Sequence, residues 1–270
     1  MQPRPRINLS SALRQAGRDA DALTELERAC TIAEHALGPD HAQLATIALD
    51  AGNLLLDQDR LADAAAQYRT ASDVFTRALG ADPLNVATAQ FHLGEIALKQ
   101  GRPADAAAAY QRALAIWQAK LGPDHPSVAV AVSALGDVAM AQKQPAAALA
   151  HYQHALAILE KALGPIHPEL GDTLQSIAAV KIALGKPAQA TAYLDRELAV
   201  RETAGDPIDL AHTRFAVAKM LAKIGAKARA VTLANQAAQV LTGREHDDVV
   251  EWLRAPGHGE SVTRTPGRTR

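Results

Sequence analysis

The chain is poor in aromatic residues, has a single cysteine and contains no long apolar run. Aromatics are 3% of 270 residues, while 48% of the residues are hydrophobic, so much of the apolar content is alanine. That balance suits closely packed helices with small side chains between them and speaks against a β-sandwich. Cys30 has no partner for an internal disulfide, which fits a reducing compartment. No run approaches the roughly 18 uninterrupted apolar residues of a membrane span. The start, Met1-Gln2-Pro3-Arg4-Pro5-Arg6, has no apolar core behind it and is not expected to be a signal peptide. An excess of one charge is missing too: the net charge is −1, which gives no field favouring nucleic acid or an anionic membrane. A soluble, cytoplasmic protein without nucleic-acid or membrane partners is therefore expected. Catalytic signatures are also absent. There is no glycine-rich phosphate loop, no dinucleotide fingerprint and no kinase catalytic loop, and Ser10-Ser11 lies in a helical pattern without a glycine elbow. No enzyme activity and no cofactor are expected.

What the chain does have is a repeat. Leu121-Gly122-Pro123-Asp124-His125-Pro126 returns as Leu37-Gly38-Pro39-Asp40-His41, as Leu163-Gly164-Pro165-Ile166-His167-Pro168, and in degraded form as Leu79-Gly80-Ala81-Asp82-Pro83. These copies begin at residues 37, 79, 121 and 163, a fixed period of 42. A period in this range marks a solenoid. Each copy reads as a linker: glycine ends one helix, proline cannot continue it, and aspartate can cap the next. Between linkers, a first helix carries a small residue near its middle and a short turn follows. The second helix then carries a small residue, an aromatic or leucine four on, and a small residue three further. Gly52, Ala64, Tyr68 and Ala71 show the pattern, as do Gly94, Ala106, Tyr110 and Ala113, and Gly136, Ala148, Tyr152 and Ala155. The first copy has Gly17, Ala22, Leu26 and Ala29, and the sixth has Ala218, Gly225, Ala230, Ala234 and Ala237. The fifth has Ala178, Gly185, Ala190 and Leu194, but Glu197 stands where alanine is expected. Spacings of three and four put these residues on one helical stripe, which a lone hairpin cannot bury, so the hairpins must stack.

These small, aromatic and turn positions resemble the tetratricopeptide repeat family, and the 42-residue period with its Leu-Gly-Pro-Asp-His-Pro linker looks like the longer kinesin light chain type. The resemblance covers about residues 6 to 241. It implies an all-α, right-handed superhelical solenoid of about six helix hairpins. The expected units are 6–36, 37–78, 79–120, 121–162, 163–204 and 205–241, with a capping helix at 245–254 and a disordered tail at 255–270. It further implies a protein–protein interaction scaffold or adaptor whose first helices line a concave groove. By family position the groove residues are Asn8, Ser11, Asp50, Asn53, His92, Glu95, Ser133, Asp137 and Gln175. Chaperone-binding relatives grip a terminal carboxylate with Lys and Arg, whereas this groove offers Asp50, Glu95 and Asp137. No carboxylate clamp is therefore expected, and a neutral or basic partner segment is favoured.

Other chemistry-bearing residues have plainer readings. His41, His125 and His167 fall one per repeat, too far apart to share a metal ion. His151 and His154 make half a site with no third ligand evident. Asp57 and Asp59 sit at a turn, and Asp247 and Asp248 at a helix start. Arg264, Arg268 and Arg270 decorate the tail without an aromatic platform for nucleic acid. No metal site follows from any of these. Two rival roles rest on the ends. The opening helix, about Arg6 to Ala16, has no linker before it, which suggests part of a longer polypeptide, such as the regulatory region of a bacterial serine/threonine kinase. Alternatively, Ile7, Leu9 and Leu13 would be exposed there and give a monomer that associates weakly with another copy.

Overall fold

The computed structural model describes residues 4–78 and 83–255. The degraded linker at 79–82 and the expected tail beyond Ala255 lie outside the described residues. Among the described residues there are thirteen α-helices and no strand. They are α1 (Arg4–Gln15), α2 (Asp19–Leu37), α3 (Ala42–Asp57), α4 (Leu61–Arg77), α5 (Pro83–Lys99), α6 (Pro103–Leu121), α7 (Pro126–Ala141), α8 (Pro145–Leu163), α9 (Gly171–Ala183), α10 (Pro187–Ala204), α11 (Pro207–Lys223), α12 (Lys227–Ala238) and α13 (Gly243–Arg254). A short 3-10 turn, Pro168–Leu170, leads into α9. The opening helix is two residues longer at its start than the pattern suggests and ends one earlier.

The chain divides into two compact units, Met1–Gln144 and Pro145–Arg270, and the division falls in the turn between α7 and α8. In the first unit, α1 pairs with α2, α3 with α4, and α5 with α6, while α2, α4 and α6 also pack on the helix that follows. In the second, α9 pairs with α10 and α11 with α12, and α8, α10 and α12 likewise pack on their successors. The small residues on the second helices are buried outright: Ala22, Ala64, Ala106, Ala148 and Ala190 are each 0% exposed. The tyrosines bridge neighbours. A Cβ on Gly52 would lie 2.9 Å from the Tyr68 ring, and one on Gly94 would lie 2.7 Å from the Tyr110 ring. Each ring thus lies directly on the bare backbone of the first helix of its own hairpin. Tyr68 also stacks on His92 of the next hairpin, with centroids 4.9 Å apart.

The turns inside the hairpins obey one rule. Gly17, Asp59, Gly101, Lys143, Gly185 and Gly225 all have positive φ, between 57° and 85°. In each case the residue after it donates its N–H to the carbonyl five residues back, from Arg18 to Leu13, Arg60 to Leu55, Arg102 to Ala97, Gln144 to Ala139, Lys186 to Lys181 and Ala226 to Leu221. This is a Schellman closure, which satisfies carbonyls at a helix end that would otherwise lack partners.

The linkers depart from the sequence expectation at their caps. Aspartate does not cap the following helix. Instead the Nδ1 atoms of His41, His125 and His167 accept from the N–H groups of Gln43, Ser127 and Glu169, at 3.2, 3.1 and 3.3 Å. The imidazole occupies the residue next to the helix, with extended backbone, which is where a capping acceptor must stand. Asp40, one residue earlier, instead accepts from Arg77 at 2.8 Å. Aspartate does cap α11, where Asp206 accepts from the N–H groups of Ile208 and Asp209. At the C-terminal end Val249 of α13 is buried, and Trp252 and Leu253 pack against the core of α9–α12.

Candidate functional site

The expected groove residues do not all meet. In the first unit, α3 and α5 bring Asn53, His92 and Glu95 into one connected set around Tyr68. The Tyr68 hydroxyl donates to Asn53 Oδ1 at 2.7 Å. His92 stacks on the Tyr68 ring and its Nδ1 lies 3.3 Å from Glu95 Oε2. A carboxylate can only accept, so Nδ1 carries the proton in that contact. Lys99 lies 4.0 Å from the other Glu95 oxygen. The hydrogen bond from His92 holds the Glu95 carboxyl below its usual range, against the opposing effect of burial. Burial raises Asp50, and Arg14 partly offsets it. Burial also raises the Tyr110 phenol, with the charges of Glu95 and Asp137 adding to the effect.

The remaining positions contribute less. Asn8 and Ser11 on α1 are exposed, and the Ser11 hydroxyl is spent on the Ile7 carbonyl at 3.2 Å. Ser133 is half-buried on α7. A residue missed by sequence reasoning is Arg14, which pairs with Asp57 at 2.6 Å and tempers the acidity of this face. Its spacing of three from Ser11 was the available signal, since Asn8, Ser11 and Arg14 share one face of α1.

Gln175 belongs to the second unit, where it is part of a cluster the sequence did not announce. Its Nε2 donates to Glu197 Oε1 at 2.9 Å. Glu197 is 2% exposed, and its Oε2 has no hydrogen-bond partner. Burial pushes its pKa up to about 8; Arg201 works against that shift, Asp172 adds to it, and the Gln175 bond opposes it. Arg201 does not pair with Glu197 but with Asp172 on α9. It can lie there because residue 171 is glycine: a Cβ would come within 2.6 Å of its Nε. Asp172, Gln175, Glu197, Arg201, Asp209 and His212 line a cavity of about 210 Å³. Gln175 and Ala216 also wall a second cavity, of about 520 Å³, with Met220 and Trp252. Among the described residues, no group of three or more His, Cys, Asp or Glu side chains is placed to hold a metal ion. No described helix is long and apolar enough to cross a membrane.

No curated protein sequence matches the chain. Several solved structures share its fold. A kinesin light chain-like protein of Podospora anserina with nearly identical TPR-like repeats is 20% identical, and the match covers 75% of this chain and 95% of that one with a TM-score of 0.62. BtubC from P. vanneervenii is 18% identical over 95% of both chains, with a TM-score of 0.64. Aspartyl phosphate phosphatase F from Bacillus subtilis is 16% identical over 96% of this chain and 72% of its own, with a TM-score of 0.69. At such identities the likeness is one of fold. A model of the tetratricopeptide repeat matches residues 4–77, 85–161 and 127–203. With those matches spanning most of its length, the chain belongs to the tetratricopeptide repeat family, whose helix hairpins serve protein–protein interaction.

Proposed function

We propose that the protein is a non-catalytic adaptor that holds an extended, neutral or basic segment of a protein partner against α3, α5 and α7 of its first unit. The observation that carries this is the linked set Asn53–Tyr68–His92–Glu95. Half-buried polar side chains stand there on helices otherwise filled with alanine and leucine, already oriented by one another. Such orientation lowers the entropy lost on binding. The bond to Tyr68 uses only the Asn53 carbonyl, so its amide N–H donors are not consumed by it and suit a peptide carbonyl. Asp50, Glu95 and Asp137 outnumber Arg14 and Lys99 on this face, which favours a cation-bearing ligand over an acidic tail.

The test is a pull-down from lysate of the source cell with the chain and with a variant carrying Ala at Asp50, Asn53, His92 and Glu95. A partner kept by the parent and lost by the folded variant supports the reading. Equal retention by both moves the site off this face. A peptide ending in Glu-Glu-Val-Asp is expected to show no binding at micromolar concentration by fluorescence anisotropy, and binding that Glu95→Lys weakens would refute the charge argument.

A further inference from the structure

The 42-residue register allows the second unit to be compared with the first slot by slot. Two periods before Gly171, Gln175, Glu197 and Arg201 stand Ala87, Phe91, Ala113 and Trp117. In the first unit these four make packing: Ala87 and Ala113 are 0% exposed, Trp117 is buried, and the Phe91 and Trp117 rings lie 5.6 Å apart. In the second unit the same four slots hold an amide, a carboxyl, a guanidinium and the glycine that makes room for it. The change is concerted. Replacing Ala with Glu alone would bury an unpaired carboxyl, a costly defect. Here the neighbouring slots have changed with it, yet one oxygen of Glu197 still lacks a partner at a cavity wall. Arg201, the arginine lining the cavity, pairs through a terminal nitrogen with Asp172, and its buried Nε has no hydrogen-bond partner.

We infer that this cavity receives one cationic side chain, arginine or lysine, of a bound protein segment, with Glu197 at its floor and Asp209 at its rim. The inference rests on the reading of this protein as a segment-binding adaptor, and it adds a second point of contact in the second unit. An anion is disfavoured, because Asp172 and Asp209 line the space with Glu197 and the one guanidinium there already pairs through a terminal nitrogen with Asp172, although its Nε has no hydrogen-bond partner. The adjoining wall argues for a peptide over a free amine. Gln175 and Ala216 continue into the larger cavity, where Met220 and Trp252 offer apolar surface for the next side chain. On entry of the cation the Glu197 carboxyl releases its proton to solvent and the carboxylate forms the ion pair. Binding therefore strengthens as pH rises towards 8 and levels off above it. The other titratable or charged groups facing Glu197 are Asp172 on α9, Arg201 on its own helix, and Asp209 and His212 on α11. His212 also lies 3.1 Å from Glu245 of α13.

The probe is acetyl-Leu-Arg-Leu-amide, with its citrulline counterpart as an uncharged isostere and agmatine as a free cation. Each is titrated into the full chain while NMR follows the Gln175 side-chain amide and the Trp252 indole N–H. The arginine peptide is expected to move both signals and to bind about tenfold or more tighter than the citrulline peptide. Agmatine moves only Gln175. Glu197→Gln abolishes the discrimination and the pH dependence, while His212→Gln keeps the pH dependence, and Asp209→Asn weakens the arginine peptide by about threefold. Equal binding of the two peptides, no shift at millimolar peptide, or unchanged binding by Glu197→Gln overturns the inference. So does agmatine binding as tightly as the peptide, which would make the site one for free amines. A lysate partner lost on the first-unit substitutions while these titrations are silent would leave the adaptor reading standing and this inference refuted. The reverse result would take the first-unit face out of the adaptor reading and leave this cavity as its point of contact.

Discussion

At the scale of single residues, the turn positions separate conformational need from chemistry. Gly17, Gly101, Gly185 and Gly225 adopt the left-handed region freely, but Asp59 and Lys143 are held there with φ of 57° and 59°. Lys143→Gly is therefore expected to raise stability by about 0.5–1 kcal/mol, read from urea midpoints. Gly122 is the stricter case: its φ of 88° with ψ of 161° lies where side chains are excluded. Gly122→Ala is expected to cost about 1–3 kcal/mol. The capping histidines give a chemical test. His125→Ala should lose about 1 kcal/mol, whereas His125→Asn, whose side chain also caps, should stay within a few tenths of the parent. Aspartate was the natural expectation for this role from its general preference. The register of one residue decided otherwise, because Asp40 reaches Arg77 while His41 stands against the helix.

At the scale of helices, the glycine–tyrosine contact defines how a hairpin closes. A methyl group on Gly94 would press on the Tyr110 ring, so Gly94→Ala should cost about 1–3 kcal/mol. The same change in a Tyr110→Leu background should cost clearly less, and a double-mutant cycle showing no coupling would refute direct contact. Part of this was legible beforehand: a glycine on the first helix and a tyrosine on the second, Gly52 with Tyr68 and Gly94 with Tyr110, recur one period apart, but their contact within one hairpin was not. The Glu197 cavity was only half legible. Glu197 announced itself by standing where Ala29, Ala71, Ala113 and Ala155 are small. Its surroundings did not, because Asp172, Arg201 and Asp209 come from three helices. Which of two carboxyl groups an arginine chooses depends on the room that Gly171 provides.

At the scale of the whole chain, division into two compact units leaves room for a local response to pH. Glu197 moves from an ordinary value of 4.5 to about 8 on folding. Between those values the folded chain keeps a proton that the unfolded chain has lost, so stability falls as pH rises through this window and is constant above it. At about 1.4 kcal/mol per unit, roughly 4–5 kcal/mol is an upper bound on the effect. Hydrogen exchange at pH 5 and pH 8 should show α9–α11 losing protection while α3–α6 keep theirs, and Glu197→Gln should remove the difference. Repeat arrays allow such regional behaviour because each hairpin contacts only its neighbours. The shared turn closure has a further consequence, for inheritance. Turns at residues 17, 59, 101, 143 and 185 present the same backbone bond in the same register. A duplication or deletion of one whole period, breaking at two neighbouring turns, would rejoin the chain across a seam of unaltered geometry, so the array can gain or lose a hairpin in a single genetic event.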